Sequence, residues 1–275
     1  DLLAPGVGAS LVPANEAELR RMLEHDAHEW EFNALRLHEL TGGRALSALG
    51  WALFQRHHAR TTFHVPPEKI DASLRCLEEA YREIPYHSAA HAACVAHGVH
   101  WLLSRPELRG VAEGGLDMLT ALLAACMHDA DHDGRNNAFH MAAASPLAVR
   151  YNDHSVLENH HLATGFALLA KPECGLLEGL SLEARKHQRG IIIGMVLATD
   201  LAHNYITINT RHGLSSARPL PKPLRGARHA APGPSPRRLR AAISVHFRPF
   251  PSISVPFWPR TARVRPLSLP TRPPV

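Results

Sequence analysis

Residues 115–134, GLDMLTALLAACMHDADHDG, carry the pattern that decides the fold. The stretch from Leu116 to Met127 is almost continuously apolar, which is typical of a helix that is buried on most sides. It is too short to span a bilayer, which requires about 20 apolar residues. It ends directly in the cluster HDADH, where burial of Asp129 and Asp131 would be unfavourable without a cation. The pattern therefore predicts a metal site at the end of a core helix.

Helical patterns continue on both sides of this segment. Proline near the start of residues 66–83, together with apolar residues spaced by three or four, predicts an amphipathic helix that Pro85 ends. The remaining helical patterns cover residues 16–56 with a break at Gly42-Gly43, residues 87–103, residues 147–169 and residues 182–204. No stretch alternates apolar and polar residues as a convincing strand would. The predicted fold class is all-α, a multi-helix domain without internal repeats.

Histidines are concentrated in the middle of the chain, where ten of the 21 lie within residues 86–161. Residues four apart on a helix share one face, so His87 and His91 are expected side by side. By the same spacing, His132 follows His128 by one helical turn, across a segment that contains two aspartates. Neutral imidazole and carboxylate ligands suit Zn²⁺ or, with more oxygen ligands, Mg²⁺ or Mn²⁺. The cluster favours a metal centre over isolated surface or core histidines.

Four segments resemble, in order and in spacing, the motifs of class I cyclic-nucleotide phosphodiesterases. YHSAAHAACV (86–95) resembles H-N-x-x-H-A-x-D-V, and MHDADHDGRNNAF (127–139) resembles H-D-x-D-H-P-G-x-x-N-x-F. YNDHSVLENHH (151–161) and MVLATDLAHN (195–204) resemble the Y-N-D-x-S-V-L-E-N-H-H and L-A-T-D segments of the same family. The resemblance covers about residues 32–204.

A further segment indicates a subfamily. FNALRLHELTGGRALSALGWALF, at residues 32–54, is similar to the region that precedes the catalytic core in the subfamily seven, cAMP-specific enzymes. The resemblance therefore implies a phosphodiesterase that hydrolyses a 3′,5′-cyclic nucleotide, cAMP, to the 5′-monophosphate in signal transduction. It also implies two divalent metal ions, Zn²⁺ and Mg²⁺ (or Mn²⁺).

The resemblance implies a role for each matching residue. His87 matches the general acid that protonates the leaving O3′ atom, and such a histidine typically contributes about 10²- to 10⁴-fold to the rate. The matches to the Zn²⁺ ligands are His91, His128 and Asp129, of which Asp129 also bridges to the second metal. The matches to the shell that orients water around the second ion are His132, Glu158 and Thr199. Two cations would lower the pKa of a water molecule toward about 7 and neutralise phosphoryl charge.

Other polar residues near the motifs keep more than one interpretation. His160 and His161 could be packing histidines, and we place Glu158 before either as a functional residue. Asp200 could support a metal ligand or could be an ordinary helix-face carboxylate. The histidines that match no motif position are interpreted as surface or capping groups; they are His97, His100, His140 and His154.

Three motif positions depart from the family pattern. Ser88 stands where the family has Asn, Cys94 where it has Asp, and Asp133 where it has Pro. Ser88 and Cys94 replace groups expected to hydrogen-bond the metal ligands, a loss that typically costs about 10- to 100-fold in affinity or activity. The family also has a later metal-ligating Asp and a base-clamping Gln in a helical C-terminal third, whereas no carboxylate follows Asp200 here. We therefore expect weak or no activity of this chain. The alternative to a cyclic-nucleotide hydrolase is a truncated, catalytically impaired member that binds metal or a partner without turnover.

The charge is divided unevenly along the chain. Residues 211–275 contain 13 Lys or Arg, no Asp or Glu and 14 of the 22 prolines, which leaves 17 basic and all 25 acidic residues in the first 210. We therefore expect a partial phosphodiesterase domain over residues 1–208 and an Arg/Pro-rich, disordered tail over residues 209–275. The tail could be a solvated segment, sequence read past a splice junction, or a basic arm for nucleic acid or acidic membranes. The acidic folded part gives no support to nucleic-acid binding.

The cysteines and the N-terminal sequence bear on localisation. Four widely spaced cysteines without a C-x-x-C pair fit reduced thiols better than a disulfide framework. The first residues lack a basic segment followed by an apolar one, so no signal peptide is expected. These features predict a cytoplasmic protein without a membrane span.

Overall fold

The computed structural model describes residues 2–5, 13–108, 110–112 and 114–202, and helices are the regular secondary structure of these residues. The α-helices are α1 (Pro13–Glu24), α2 (Ala34–Leu40), α3 (Ala45–Arg56), α4 (Ala59–Phe63), α5 (Pro67–Glu79), α6 (Ala89–Leu103), α7 (Gly115–Met127), α8 (Asn137–Ala142), α9 (Pro146–Tyr151), α10 (Val156–Leu169) and α11 (Leu182–Leu197). Short 3₁₀ helices cover Asp26–His28 and Pro106–Leu108. The described part contains no strand, which confirms the all-α prediction for these ranges. The predicted tail and the domain boundary at residue 208 lie outside them.

Helix α7 forms the centre of the domain. All residues from Met118 to Met127 are buried. The helix packs mainly against α6 and α11, and it also contacts α3, α4, α5 and α10. An apolar sequence with no polar face requires neighbours on every side, and the surrounding helices provide them. The prediction of a core helix at this position is confirmed.

Helix α5 follows its predicted amphipathic pattern. Pro67 lies in its first turn, where a missing N–H costs no hydrogen bond. The apolar residues Ile70, Leu74 and Leu77 are completely buried. The helix ends at Glu79, and Tyr81 continues the buried face beyond the helix end.

The N-terminus of α3 is completed by a side chain from α5. Arg44 precedes the helix and makes no capping hydrogen bond with its own side chain. Instead, the Glu78 carboxylate accepts hydrogen bonds from the backbone N–H of Leu46 (2.8 Å) and Ser47 (3.2 Å) and from the Ser47 hydroxyl (2.5 Å). Burial raises the pKa of Glu78, and these hydrogen bonds counteract that rise. The carboxylate thereby satisfies donors that a helix start leaves without intrahelical partners.

The predicted helix over residues 147–169 is wrong in one respect, because the structure divides it into α9 and α10. The separating residues Asn152, Asp153 and Ser155 have positive φ angles of 52°, 60° and 40°. Short polar side chains tolerate this left-handed conformation better than others, and it ends a helix. The break turns the start of α10 and with it the direction of Glu158.

Other predicted boundaries also differ from the structure. Helix α11 ends at Leu197, before the predicted end at Asn204, which lies outside the described residues. Residues 16–56 contain three α-helices and one 3₁₀ helix, and the predicted break at Gly42-Gly43 is confirmed by φ angles of 60° and 95°. Helices α4 and α8 were not predicted. Among the described residues, no helix combines the length and the apolar character that crossing a bilayer requires.

A glycine allows α10 to approach the end of α7. A Cβ atom at Gly165 would lie 2.9 Å from the Met127 sulfur and 3.0 Å from its Cβ. His161 lies one helical turn before Gly165, so the same close approach brings His161 to the end of α7.

Candidate active site

The end of α7 presents His128 and Asp129 to a cavity. His128 is the last residue of the helical turn, and Asp129 follows it. The buried hydroxyl of Tyr81 donates to the carbonyl oxygen of Cys126 (3.0 Å) and accepts from the backbone N–H of Asp129 (3.3 Å). Tyr81 therefore holds the chain where it leaves the helix, and this fixes the start of the Asp129 side chain.

Three imidazoles from three parts of the chain converge on the Asp129 carboxylate. The Nε2 atoms of His91, on α6, and of His128, at the C-cap of α7, lie 3.3 Å and 3.1 Å from Oδ2 of Asp129. The Nε2 atom of His161 (α10) lies 3.7 Å from Oδ1. The Asp129 side chain is only 13% exposed, so this charge is removed from most of the solvent.

The charges of the cluster shift its pKa values. Burial alone would raise the pKa of Asp129, but the imidazoles of His128 and His91 hold it well below its usual value. Burial would lower the pKa of His128, and the Asp129 carboxylate raises it instead. His161 is dominated by burial, which lowers its pKa to about 3. Asp129 is therefore ionised and His161 is neutral at neutral pH.

The backbone hydrogen bonds of His128 and His161 determine which ring nitrogen is free. Nδ1 of His128 lies 2.9 Å from the carbonyl oxygen of Ala125, and Nδ1 of His161 lies 2.7 Å from that of Ala130. A carbonyl oxygen only accepts, so each Nδ1 carries a hydrogen and each neutral ring has a lone pair at Nε2. These lone pairs face the Asp129 carboxylate, which also has only lone pairs to offer. A proton or a cation between them relieves the repulsion, and the donor set therefore fits a metal ion.

The donor atoms form two overlapping groups. In each group the ligand atoms lie within 4.8 Å of one another; the first comprises His91, His128 and Asp129, and the second Asp129, His132 and His161. Asp129 is common to both. The arrangement therefore fits two neighbouring cations that share one carboxylate.

A column of imidazoles continues from this cluster toward the segment before α6. The ring of His132 stacks on that of His87, with centroids 3.8 Å apart, and lies nearly parallel to that of His161 at 5.5 Å. Nδ1 of His132 accepts a hydrogen bond from the backbone N–H of Gly134 (2.9 Å). Burial lowers the pKa of His87 to about 4, although Asp129 acts in the opposite direction.

Glu158 and Thr199 lie in the same cavity. The buried Glu158 carboxylate accepts a hydrogen bond from Nδ2 of Asn137 (2.9 Å), whose Oδ1 accepts one from the backbone N–H of Leu157 (2.9 Å). Burial raises the pKa of Glu158. The Thr199 hydroxyl donates to the carbonyl oxygen of Val196 (2.7 Å) and is therefore held at the end of α11.

All seven sequence-predicted site residues line one cavity of about 780 Å³, and His161 lines it as well. Its polar end is the imidazole cluster, and its other walls include Val95, Val99 and Met195. A pocket of this size with a few convergent polar groups is typical of a small-molecule site.

The structure corrects two helical arguments about the motifs. His87 precedes α6, which begins at Ala89, so His87 and His91 are not on one helix, although their rings lie 5.8 Å apart. His128 and His132 are not one helical turn apart either, because α7 ends at Met127 and Asp131 has a positive φ of 61°. The residues converge through turns rather than through helical spacing.

Asp131 does not belong to the cluster, contrary to the argument that both aspartates would be buried at a cation. Its side chain is 33% exposed, and its two oxygens accept from Nε of Arg82 (2.6 Å) and contact Nε2 of His160 (2.7 Å). The positive φ directs the side chain away from Asp129. His160 therefore contacts Asp131, whereas His161, which sequence reasoning placed behind Glu158, lies at the centre of the site. The sequence feature that could have identified His161 as a site residue is its position in the motif ENHH.

Three histidines interpreted as surface or capping groups are buried. His97, His100 and His140 are only 4%, 2% and 3% exposed, whereas His154 is exposed as expected. Asp200, for which two interpretations were open, is buried and accepts a hydrogen bond from the Ser155 hydroxyl (2.8 Å).

The three departures from the motifs have different surroundings. Ser88 precedes α6 and makes no side-chain capping hydrogen bond. Cys94 lines the cavity, and burial raises its pKa. Asp133 is directed to Nε2 of His140 (3.3 Å) and accepts from the backbone N–H of Arg135 (3.0 Å).

Over the described residues, the fold and the cavity thus define an all-helical domain with a candidate two-cation centre. Comparisons with known proteins narrow this class. Residues 86–218 match the 3′5′-cyclic nucleotide phosphodiesterase family. This part of the chain includes all the residues that line the cavity, and its similarity is to class I 3′,5′-cyclic nucleotide phosphodiesterases.

Individual relatives agree with this assignment. The mouse 3′,5′-cyclic-AMP phosphodiesterase 4C is 40% identical over 188 residues, which are 68% of this chain and 27% of the relative. The probable 3′,5′-cyclic phosphodiesterase pde-1 of Caenorhabditis elegans is 35% identical over 207 residues, 74% of this chain and 30% of the relative. The chain therefore spans less than a third of the length of these relatives. Neither relative carries a subfamily seven name, and that assignment stays a prediction.

A solved structure has the same fold. The phosphodiesterase domain of the RhoPDE fusion protein from the choanoflagellate Salpingoeca rosetta superposes with a TM-score of 0.63 at 31% identity. The alignment covers 71% of this chain and 60% of that domain.

Proposed function

We propose that this chain hydrolyses a 3′,5′-cyclic nucleotide, cAMP, to the 5′-monophosphate in a metal-dependent reaction. One observation carries the proposal: the Nε2 atoms of His128 and His161 lie 3.1 Å and 3.7 Å from the ionised Asp129 carboxylate, at the polar end of a cavity that also contains His87. The family match supports the reaction type. The name of the mouse relative supports cAMP, whereas that of the nematode relative leaves the base open.

Each residue has a proposed role in holding the cations. His91, His128 and Asp129 would hold a Zn²⁺ ion, because two nitrogen ligands and one carboxylate suit zinc and leave positions open. Asp129 would also bind a Mg²⁺ or Mn²⁺ ion, with His132, Glu158 and Thr199 orienting the water around it. His161 is added to this second group on the basis of its distance from Asp129. When bound, the two ions would supply an activated water near neutral pH and neutralise charge on the phosphoryl group.

His87 would donate a proton to the departing O3′ atom. A general acid must be protonated before it acts, whereas burial lowers the pKa of His87 to about 4. The anionic phosphodiester of the substrate would favour the charged imidazole and raise its pKa in the complex. Stacking on His132 leaves the edge of the His87 ring available to the substrate.

A turnover assay of the purified full chain tests the proposal. Because the motif departures predict weak activity, we expect slow hydrolysis of cAMP that is lost in EDTA and restored by Zn²⁺ with Mg²⁺. His87→Ala is expected to lower kcat by about 10²- to 10⁴-fold without loss of bound zinc. His154→Ala removes an exposed histidine outside the cavity and is the matched control. Full activity of His87→Ala, or activity unaffected by metal removal, would contradict the proposal; parallel assays with cGMP test the choice of base.

The three motif departures favour a second candidate, a catalytically impaired member that binds metal without turnover. Cys94 lines the cavity at a position where the family has an aspartate, and a thiol is a much weaker hydrogen-bond partner than a carboxylate. Zinc binding without cAMP hydrolysis would favour this candidate. In that case Cys94→Asp is expected to raise the turnover, whereas Ser104→Asp, at the exposed end of α6, is not.

We also propose a cytoplasmic location. The four cysteines are unpaired thiols, which fits a reducing compartment. Detection of the chain in the cytosolic fraction of cells tests this assignment.

A further inference from the structure

Two thiols outside the cavity lie together although they are distant in the sequence. Cys76 is on α5 and is partly exposed, whereas Cys174 lies in the connection between α10 and α11 and is buried. The thiol of Cys174 interacts with that of Cys76. Neither residue lines the cavity, and neither is part of the proposed reaction.

A second contact independently holds the same two segments together. Nζ of Lys69 lies 2.7 Å from the Glu178 carboxylate. Lys69 and Cys76 are seven residues apart on α5 and therefore share one face of the helix. The turn that carries Cys174 is fixed by its own backbone, because its N–H donates to the carbonyl oxygen of Lys171 (3.0 Å). The Lys69–Glu178 ion pair thus holds the connection that carries Cys174 against the face of α5 that carries Cys76.

We propose that Cys76 and Cys174 form a redox-sensitive dithiol, which hydrogen peroxide oxidises to an intramolecular disulfide between α5 and the α10–α11 connection. Cys76 is the residue that reacts first, because it is the more accessible thiol. Burial and the contact with Cys76 raise the pKa of Cys174 to about 12, so Cys174 does not ionise first. Cys76 and Cys174 are both free thiols in the structure, which is the reduced state of this pair.

The oxidation balances in two steps. The Cys76 thiolate attacks one peroxide oxygen, an S–O bond forms, the O–O bond breaks and the released hydroxide takes a proton to become water. The Cys174 sulfur then attacks the Cys76 sulfenic acid; the S–S bond forms, the S–O bond breaks and a second water leaves with the Cys174 proton. Two thiols and one peroxide molecule give one disulfide and two water molecules.

The sequence allows a direct test by peptide mapping. Trypsin places each cysteine in a different peptide, because Pro172 prevents cleavage after Lys171 and Pro106 prevents it after Arg105. The four peptides are residues 76–82 (Cys76), 83–109 (Cys94), 110–135 (Cys126) and 151–185 (Cys174). The full chain is treated with increasing hydrogen peroxide, remaining thiols are alkylated, and the digest is analysed by mass spectrometry. We expect a linked species of residues 76–82 and 151–185 that disappears on reduction.

Two variants separate this pair from unspecific oxidation. Cys174→Ser is expected to abolish the link and to leave Cys76 as a sulfenic acid that dimedone traps. Cys94→Ser removes a cavity thiol and is expected to leave the link unchanged. Links that involve Cys94 or Cys126 at the same peroxide concentration, or Cys76 oxidised in the parent chain without a link, would overturn the proposal. A Cys76 that stays reduced under these conditions would overturn it as well. Because the readout is mass and not turnover, the result is independent of the proposed hydrolysis.

Discussion

The ring of His87 stacks on the ring of His132, with centroids 3.8 Å apart and planes inclined by 12°. The two residues come from separate turns, one before α6 and one after α7. His132 is held in turn by the backbone N–H of Gly134. The stack therefore couples the position of the proposed acid to the turn that follows the core helix.

The first prediction concerns this stack. His132→Ala removes the ring against which His87 lies, and we expect kcat to fall by about 10- to 100-fold. His132→Phe keeps an aromatic surface and should lose less if stacking positions His87. Steady-state kinetics with measurement of bound zinc distinguishes the two variants. Wild-type kcat in His132→Ala would contradict a positioning role.

The second prediction concerns the two aspartates of the HDADH segment. Asp129→Asn removes the carboxylate shared by both donor groups, and we expect zinc binding to weaken by at least about 100-fold. Asp131→Asn is the matched control, because Asp131 contacts Arg82 and His160 instead. Zinc titration of both variants measures the difference. Equal loss of affinity in both would show that the two carboxylates are not functionally distinct.

The third prediction concerns acid stability and three histidines, of which His57 follows α3 and His97 and His100 lie on α6. Burial lowers the pKa of His57 and His97 to about 4 and of His100 to about 3, below the usual value of about 6.5 in the unfolded chain. The unfolded chain therefore binds more protons between these values. Their contribution to stability is fully present above about pH 6.5 and is lost as the pH falls toward about 4, by up to about 1.4 kcal/mol per pH unit for each titrating histidine.

Urea unfolding at pH 7.5, 6 and 5 measures this slope. His100 contacts His57, with Nε2 of His57 3.1 Å from Nδ1 of His100, and its own Nε2 is buried without a hydrogen-bond partner among the described residues. His100→Asn removes one titrating group and is expected to give a shallower pH dependence. His154→Ala, at an exposed position, should keep the parent slope. An unchanged slope in His100→Asn would contradict the assignment.

The fourth prediction concerns the cap that Glu78 provides for α3. Glu78→Ala leaves two backbone donors and the Ser47 hydroxyl without their acceptor. We expect the free energy of unfolding to fall by about 2–3 kcal/mol, because hydrogen bonds to a charged group contribute more than neutral ones. Glu79→Ala changes an exposed neighbour and should cost less than about 0.5 kcal/mol. Denaturant unfolding of both variants measures the two free energies of unfolding, and equal values would contradict the capping role of Glu78.

Much of the candidate site could be predicted because its residues stand in short, recognisable segments. His91, His128 and Asp129 were predicted as one group from motif resemblance, and they form one donor group in the structure. His161 was ranked behind Glu158, because adjacent histidines in a sequence do not reveal which one faces inward. The rotation of α10, set by the left-handed residues before it and by Gly165 against Met127, makes that choice.

Local pattern and long-range packing thus determined different properties of this protein. The sequence alone determined the all-α class, the core helix α7 and the residue types around Asp129, because helical periodicity and ligand chemistry depend on neighbouring residues. Only the tertiary structure decided that Asp131 points away, that His97 and His100 are buried, and that Glu78 caps another helix. These outcomes depend on backbone turns and on contacts between distant segments, where a change in one φ angle redirects a side chain, and local sequence does not encode such contacts.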